Sequence, residues 1–279
     1  PSRPASNLLL LTAKSEDALA EQVRQYASHL SAHPELDAAD VCFTANTTRA
    51  RFPHRLAVVG GSTQALAEAL QGFAKGDVSD AVASAEASSQ SPRVAFLFTG
   101  QGSQYVGMGR ELYATSPVFR EALDRCAALL RPRMELLSVL FPAEGATSPI
   151  DQTEYSQPAL FALEYALAQV WKSWGVVPHA VMGHSVGEFA AAVVAGYLSL
   201  EDGLALIAER GRLMQALPSG GAMLSVFTTE AQVQPLLEPH LGQVSLACLN
   251  APGQVVLSGA GEVIARLDQE LQARGVRTK

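Results

Sequence analysis

The chain has 279 residues, 48% of them hydrophobic and 17% charged, which is enough apolar material for a sizeable core. That length suits two domains, or one large domain carrying a smaller module. Its 20 basic and 27 acidic residues give a net charge of -7 with no Lys/Arg-rich run, which excludes a typical nucleic-acid or anionic-membrane surface. The start, PSRPASNLLLLTAKSEDAL, lacks a basic stretch followed by a long apolar core, so no signal peptide is expected. Its first residue is proline rather than methionine, which suggests an excised piece. Asn7–Thr12 reads as a strand, and Ser15-Glu16-Asp17 opens a helix with Leu19, Val23, Tyr26 and Leu30 at helical spacing. Asp40–Ala45 and Arg55–Val59 read as strands, the second ending at Gly60-Gly61. Ser62 then caps a helix with Leu66, Ala69, Leu70 and Phe73 on one side. The Ala/Ser-rich run Ala81–Ser91 reads as a linker, with a domain boundary near Pro92.

Val94–Thr99 (VAFLFT) is a continuous apolar run ended by Gly100, the pattern of a strand buried on both faces. A helix follows Ser156-Gln157-Pro158, with Pro158 in its first turn and Gly175 just past its end. Ala180-Val181-Met182 is a short strand leading into GHSVGE and a small-residue helix, Phe189–Tyr197. Ser199 and Asp202 form a capping box for the next helix, which carries Arg210. From Ala222 the predicted order is strand (Ala222–Phe227), helix (Glu230–Leu237), strands (Val244–Leu249 and Gln254–Ser258) and helix (Gly261–Arg274). Val276 begins another strand, so the order is that of a ferredoxin-like split unit. Three separated cysteines, Cys42, Cys126 and Cys248, include no CxxC pair, so neither a disulfide framework nor a metal site is expected. The longest apolar run, Phe189 to Leu198, is about half the ~20 residues of a membrane span. A soluble α/β protein of the cytoplasm, free of membrane and nucleic acid, is the expectation.

The sharpest chemical signal is Gly183-His184-Ser185-Val186-Gly187, a GxSxG between a strand and a helix. In a nucleophile elbow the serine sits in a strained turn, so its neighbours two positions away must be small. The Val186 amide, opening the helix, can then face a developing oxyanion. Gly100-Gln101-Gly102-Ser103-Gln104 fits neither a dinucleotide nor a Walker phosphate loop. Tyr105 stands where the first requires glycine, and no Gly-Lys-Ser/Thr exists for the second. The Gln101 amide could instead complete an oxyanion hole, or the turn could be purely structural. Arg210 lies on a largely apolar helix, where its planar fork suits a carboxylate; the alternative is an ion pair with Glu209 or Glu201. A base for Ser185 should follow it in chain order, yet of six histidines only His240 does so at a distance, in an apparent loop. The base is therefore expected to be missing from this chain.

The segments GQGSQYVGMG, QTEYSQPALFALEYAL, GHSVGEFAAAVVAG and AERGRLMQ together resemble the acyltransferase (malonyl transacylase) domains of modular type I polyketide synthases. The first 80 residues resemble the linker that joins a ketosynthase to its acyltransferase. The resemblance implies a hydrolase-like parallel-sheet large subdomain, incomplete here, with a ferredoxin-like small subdomain and a small α+β linker domain before them. The implied boundaries are 1–91, 92–214 and 215–279. It implies Ser185 as nucleophile, Gln101 and Val186 as oxyanion donors, and Arg210 as the partner of the substrate carboxylate. Gln157 and Asn250 fall on shared positions without a role that the residues themselves suggest. The family's histidine lies roughly 110 residues after the serine, whereas 94 residues follow Ser185 here.

The implied reaction moves an acyl group from malonyl-CoA to Ser185, then to the phosphopantetheine thiol of an acyl carrier protein, with no bound cofactor. The implied partners are that carrier protein and a ketosynthase in the same polypeptide, within a homodimeric synthase of antibiotic biosynthesis. Methylmalonyl-selecting relatives carry Gln after the nucleophile; Val186 and Gln152-Thr153-Glu154-Tyr155-Ser156 resemble the malonyl type. Two alternatives stand beside this reading. A serine thioesterase or other hydrolase would share the elbow without needing Arg210, and a non-catalytic docking piece would need no nucleophile.

Overall fold

The computed structural model describes residues 6–88 and 90–279. The N-terminal Pro1–Ala5 and Ser89 of the predicted linker lie outside the described residues. By compactness the chain divides into two units, one ending at Gly211 and one spanning Arg212–Lys279.

The first unit begins with β1 (Asn7–Ala13), α1 (Glu16–Ala32), α2 (Ala38–Thr48), β2 (His54–Gly60), α3 (Thr63–Lys75) and β3 (Val82–Glu86). Ser15 caps α1 by accepting from the Ala18 amide, and Ser62 caps α3 by accepting from the Ala65 amide. These strands form an antiparallel sheet in the order β1-β2-β3. Leu9, Leu11, Leu56 and Val58 of the sheet pack with Leu19, Val23, Leu30, Leu66 and Leu70 of the helices.

Two sequence expectations fail in this module. Asp40–Ala45 is not a strand but the middle of α2. Asp37 caps that helix by accepting from the Ala39 amide, and Ala38, Cys42 and Ala45 are buried at helical spacing. The cap and the 38/42/45 spacing outweigh the local preference of the β-branched and aromatic side chains. Likewise Ala81–Ser91 is not all linker, because β3 pairs antiparallel with β2 from Val58↔Val82 to His54↔Glu86. Being a largely exposed edge strand, β3 is held by main-chain hydrogen bonds and shows no apolar alternation.

The unit continues with β4 (Ala95–Phe98), α4 (Arg110–Thr115), α5 (Pro117–Leu130), α6 (Leu136–Leu140), α7 (Thr153–Ser173), β5 (Ala180–Gly183), α8 (Val186–Val194) and α9 (Leu200–Gln215). Helix α5 starts on Ser116, whose hydroxyl accepts from the Phe119 amide, with Pro117 in the first turn. It buries Phe119, Leu123, Cys126 and Leu130 against a core that also holds Phe98, Leu160, Phe161, Val186 and Ile207. Helix α7 begins at Thr153, earlier than expected, so Pro158 lies inside it rather than in its first turn. Strands β4 and β5 are parallel, in register from Ala95↔Ala180 to Phe98↔Gly183. Contrary to the expectation from its sequence, β4 is not buried on both faces. Phe98 is buried, but Leu97 is 68% exposed and Met182 on β5 is 65% exposed. The alternating exposure shows that packing covers one face of this pair.

The second unit contains β6 (Gly221–Val226), α10 (Glu230–Leu237), β7 (Val244–Ala251), β8 (Gln254–Ala260) and α11 (Gly261–Ala273). Its antiparallel sheet has the order β6-β8-β7. The last residues add to the free side of β6: Val226 bridges Thr278, and Ser225 and Lys279 exchange two 2.9 Å backbone hydrogen bonds. This is the split βαββα(β) arrangement expected from the sequence.

Candidate active site

Ser185 stands between β5 and α8 with φ 54° and ψ -106°, and it is the one non-glycine residue with positive φ among the described residues. Such a conformation costs of order 1–3 kcal/mol and is kept only where surrounding packing imposes it. Here the packing is glycine on both sides. A Cβ on Gly183 would lie 2.2 Å from the Glu188 amide nitrogen, and one on Gly187 would lie 2.5 Å from the Phe98 carbonyl oxygen. The elbow therefore folds back on itself and presses against the end of β4. Its product is an exposed serine at the start of a helix whose next residue, Val186, is fully buried. The Val186 amide is at the first helical position, where the intrahelical ladder offers no acceptor.

Arg210 reaches this serine from α9. Its Nη2 donates to Ser185 Oγ at 3.2 Å, and its Nη1 donates to Gln157 Oε1 at 2.5 Å. The Phe189 ring lies 6.0 Å from the guanidinium carbon, within cation–π range. The acids that the sequence offers as partners for Arg210 pair with other arginines: Glu209 with Arg133 and Glu201 with Arg125, each at 2.8 Å.

The chain of contacts continues from the buried Gln157, whose Nε2 donates to Thr153 Oγ1 at 2.7 Å. Thr153 in turn donates to Gln101 Oε1 at 2.9 Å. One hydrogen-bonded path thus links Ser185, Arg210, Gln157, Thr153 and Gln101. It assigns Gln157 the place that its sequence left undecided. The available signal was a glutamine one helical turn after a threonine, just ahead of the apolar run 158–163; its complete burial, which demands partners for the amide, is seen only in the fold. The Gly100–Gln101 turn also abuts the elbow directly. A Cβ on Gly100 would come within 2.7 Å of His184 Nδ1, and the His184 amide donates to the Phe98 carbonyl.

None of the histidines bonds to Ser185 Oγ among the described residues. The His184 ring faces Gly100, His179 Nδ1 accepts from the Val94 amide at 3.4 Å, and His240 ends a short 3₁₀ turn in the second unit. Asn250 lies on β7 of the second unit.

A model of the acyl transferase domain family matches residues 95–279. The chain belongs to that family. A second model, of the CurL-like C-terminal region of polyketide synthases, matches residues 7–70 of this acyltransferase chain. Polyketide synthase GfsA of Streptomyces halstedii is 46% identical over 275 residues, covering 97% of this chain but 4% of that protein. The solved acyl transferase domain of ZmaA is 37% identical with a TM-score of 0.89, covering 99% of this chain and 64% of the other. The malonyl CoA-acyl carrier protein transacylase of Clostridium perfringens is 31% identical with a TM-score of 0.61, covering 67% of this chain and 60% of its own. The acyltransferase chain is thus of the α/β class that these structures share, and it spans a small fraction of its synthase relatives. No described helix is long and apolar enough to cross a membrane.

Two consequences can be measured at this site. Ser185→Gly should relieve the strained φ and stabilise the fold by about 1 kcal/mol, read as an upward shift in Tm. The second concerns Glu164 on α7, which is 8% exposed and which burial raises from 4.5 to about 7. Between those values the folded chain still holds a proton that the unfolded chain has released. Stability from this group is therefore complete at low pH, falls as pH rises from about 4.5 to about 7, and is level above that. Glu164→Gln cannot ionise and should gain on the wild type across that window by up to about 3 kcal/mol, followed by Tm at both ends.

Proposed function

We propose that this chain transfers an acyl group from a CoA thioester, malonyl in preference to methylmalonyl, through Ser185 to the phosphopantetheine thiol of an acyl carrier protein. The observation that carries the reading is a strained, exposed serine whose Oγ is touched by an arginine that a buried glutamine aims. An arginine beside the nucleophile places a second anion, the free carboxylate of a dicarboxylic acyl group, next to the reacting thioester. Ser185 Oγ attacks the thioester carbon as its proton passes to a base, and the carbonyl oxygen gains the negative charge. The Gln101 and Val186 amides receive that oxyanion; its collapse expels the CoA thiolate and leaves the acyl-serine ester. The carrier thiol then reverses the sequence and carries the acyl group away.

The base is assigned, on the family resemblance, to a histidine in a later segment of the parent polypeptide. This chain covers 64% of the ZmaA domain, which leaves room for such a segment. Residues 1–91 are proposed as the link to a ketosynthase, 92–214 as the large subdomain and 215–279 as the small one. The cytoplasm is the proposed location. The malonyl preference is supported by Val186 after the nucleophile and by the Gln152–Ser156 stretch, and one methyl group is worth only ~1–3 kcal/mol in such discrimination.

The test is intact-mass spectrometry of the parent polypeptide mixed with equal malonyl-, methylmalonyl- and acetyl-CoA. A malonyl adduct on Ser185 is expected. A methylmalonyl adduct would reverse the selectivity, and thioester consumption without transfer to a carrier protein would make the chain a hydrolase.

A further inference from the structure

Glu164 bonds to none of Ser185, Arg210 and Gln157, yet it is the one buried acidic or basic side chain among the described residues. It hangs from α7 beneath the end of β4. There its Oε1 accepts from the Thr99 hydroxyl at 2.9 Å. Its Oε2 has no hydrogen-bond partner among the described residues. A buried carboxyl left half unsatisfied is a poor stabiliser, so its place calls for another reason.

Thr99 supplies one. Its Oγ1 also accepts from the Ser103 hydroxyl at 3.0 Å, whose one proton is shared with the Gly100 carbonyl at 3.3 Å, so the turn carrying Gln101 is tied to it. On its other side the Thr99 carbonyl presses against the elbow, only 2.6 Å from where a Cβ on Gly187 would sit. Thr99 is thus the backbone wedge between the Gln101 turn and the first turn of α8, which carries the Val186 amide.

We propose that Glu164 is a positioning residue for acyl transfer, setting the separation of the two oxyanion-binding amides through its hold on Thr99. The proposal rests on the oxyanion reading given above. Misplacing reacting or stabilising groups by about 1 Å costs up to about 100-fold in rate. In the parent polypeptide, Glu164→Met should therefore slow acylation of Ser185 about 10- to 100-fold with KM for malonyl-CoA unchanged. Its Tm should be unchanged or higher. Glu164→Gln, which keeps an acceptor for Thr99, should restore the rate. Thr99→Val should reproduce the Glu164→Met defect, and the double variant should be no slower than either single one.

An unchanged rate in Glu164→Met would overturn the proposal. So would a fall in rate, KM and Tm together that Glu164→Gln did not rescue, because that is the mark of a merely structural group. If the acyl-transfer reading itself were wrong, the failure would appear elsewhere: wild-type protein would accumulate no acyl-Ser185 from malonyl-CoA at all.

Discussion

Replacing Ser185 by alanine is expected to abolish the acyl-enzyme and to lower carrier-protein loading by about 10⁴-fold or more. The expectation follows from the backbone before it follows from the hydroxyl. Gly183 and Gly187 admit no Cβ, so the turn between them is held in one conformation, and that conformation puts Oγ outside the sheet edge beside Arg210. No neighbouring serine or threonine has that setting. Ser103 bonds Thr99 and Gly100, and Ser156 is wholly buried. Mass spectrometry of the variant with malonyl-CoA should show unmodified protein. A persisting adduct would move the nucleophile elsewhere and undo the proposed mechanism. Because alanine keeps the positive φ that glycine would relieve, the Tm of Ser185→Ala should stay below that of Ser185→Gly.

Replacing Arg210 by alanine is expected to lower kcat/KM for malonyl-CoA by about 100-fold, as for other hydrogen-bonded charge pairs broken from one side. Activity toward acetyl-CoA, which brings no carboxylate, should be retained or improved. The two substrates together therefore separate loss of the carboxylate partner from general damage. Arg210→Lys should recover little, because a single ammonium cannot donate to both Gln157 and Ser185 in the fixed fork of a guanidinium. Gln157→Leu should fall between wild type and Arg210→Ala, since the cation remains but is no longer aimed. Equal losses on malonyl- and acetyl-CoA would show that Arg210 serves the fold or the nucleophile rather than the acyl carboxylate.

Much of this chain was legible without its structure because many of its signals are local. Ser15, Ser62 and Ser199 announce their helices through hydroxyls that bond amides a turn ahead. The GxSxG between strand and helix announces its elbow because no larger residue fits at either glycine. The alternation from Ala222 onward announces a sheet with one buried face, and even its last strand is begun by Arg277–Lys279. Segments without such signals are not legible in this way. The sequence reading assigns no element to α4, α5 or α6, although Ser116-Pro117 begins α5 in a recognisable way. Val82–Glu86 forms an edge strand whose stability lies in backbone pairing with β2, a partner that composition does not name.

At the site the same division holds. By itself the sequence determined the strained serine turn, the arginine on its helix, the glycine-rich turn after β4 and the split βαββα order, since each depends on residues adjacent in the chain or one helical turn apart. Only the tertiary structure decided what Arg210 meets. Its rivals Glu209 and Glu201 are drawn to Arg133 and Arg125, 76 residues away in sequence, which leaves its fork to Gln157 and Ser185. Only the structure placed Glu164 under Thr99, across 65 residues. Long-range hydrogen bonds leave no periodicity in a sequence, because they depend on where helices far apart in the chain come to rest in the fold.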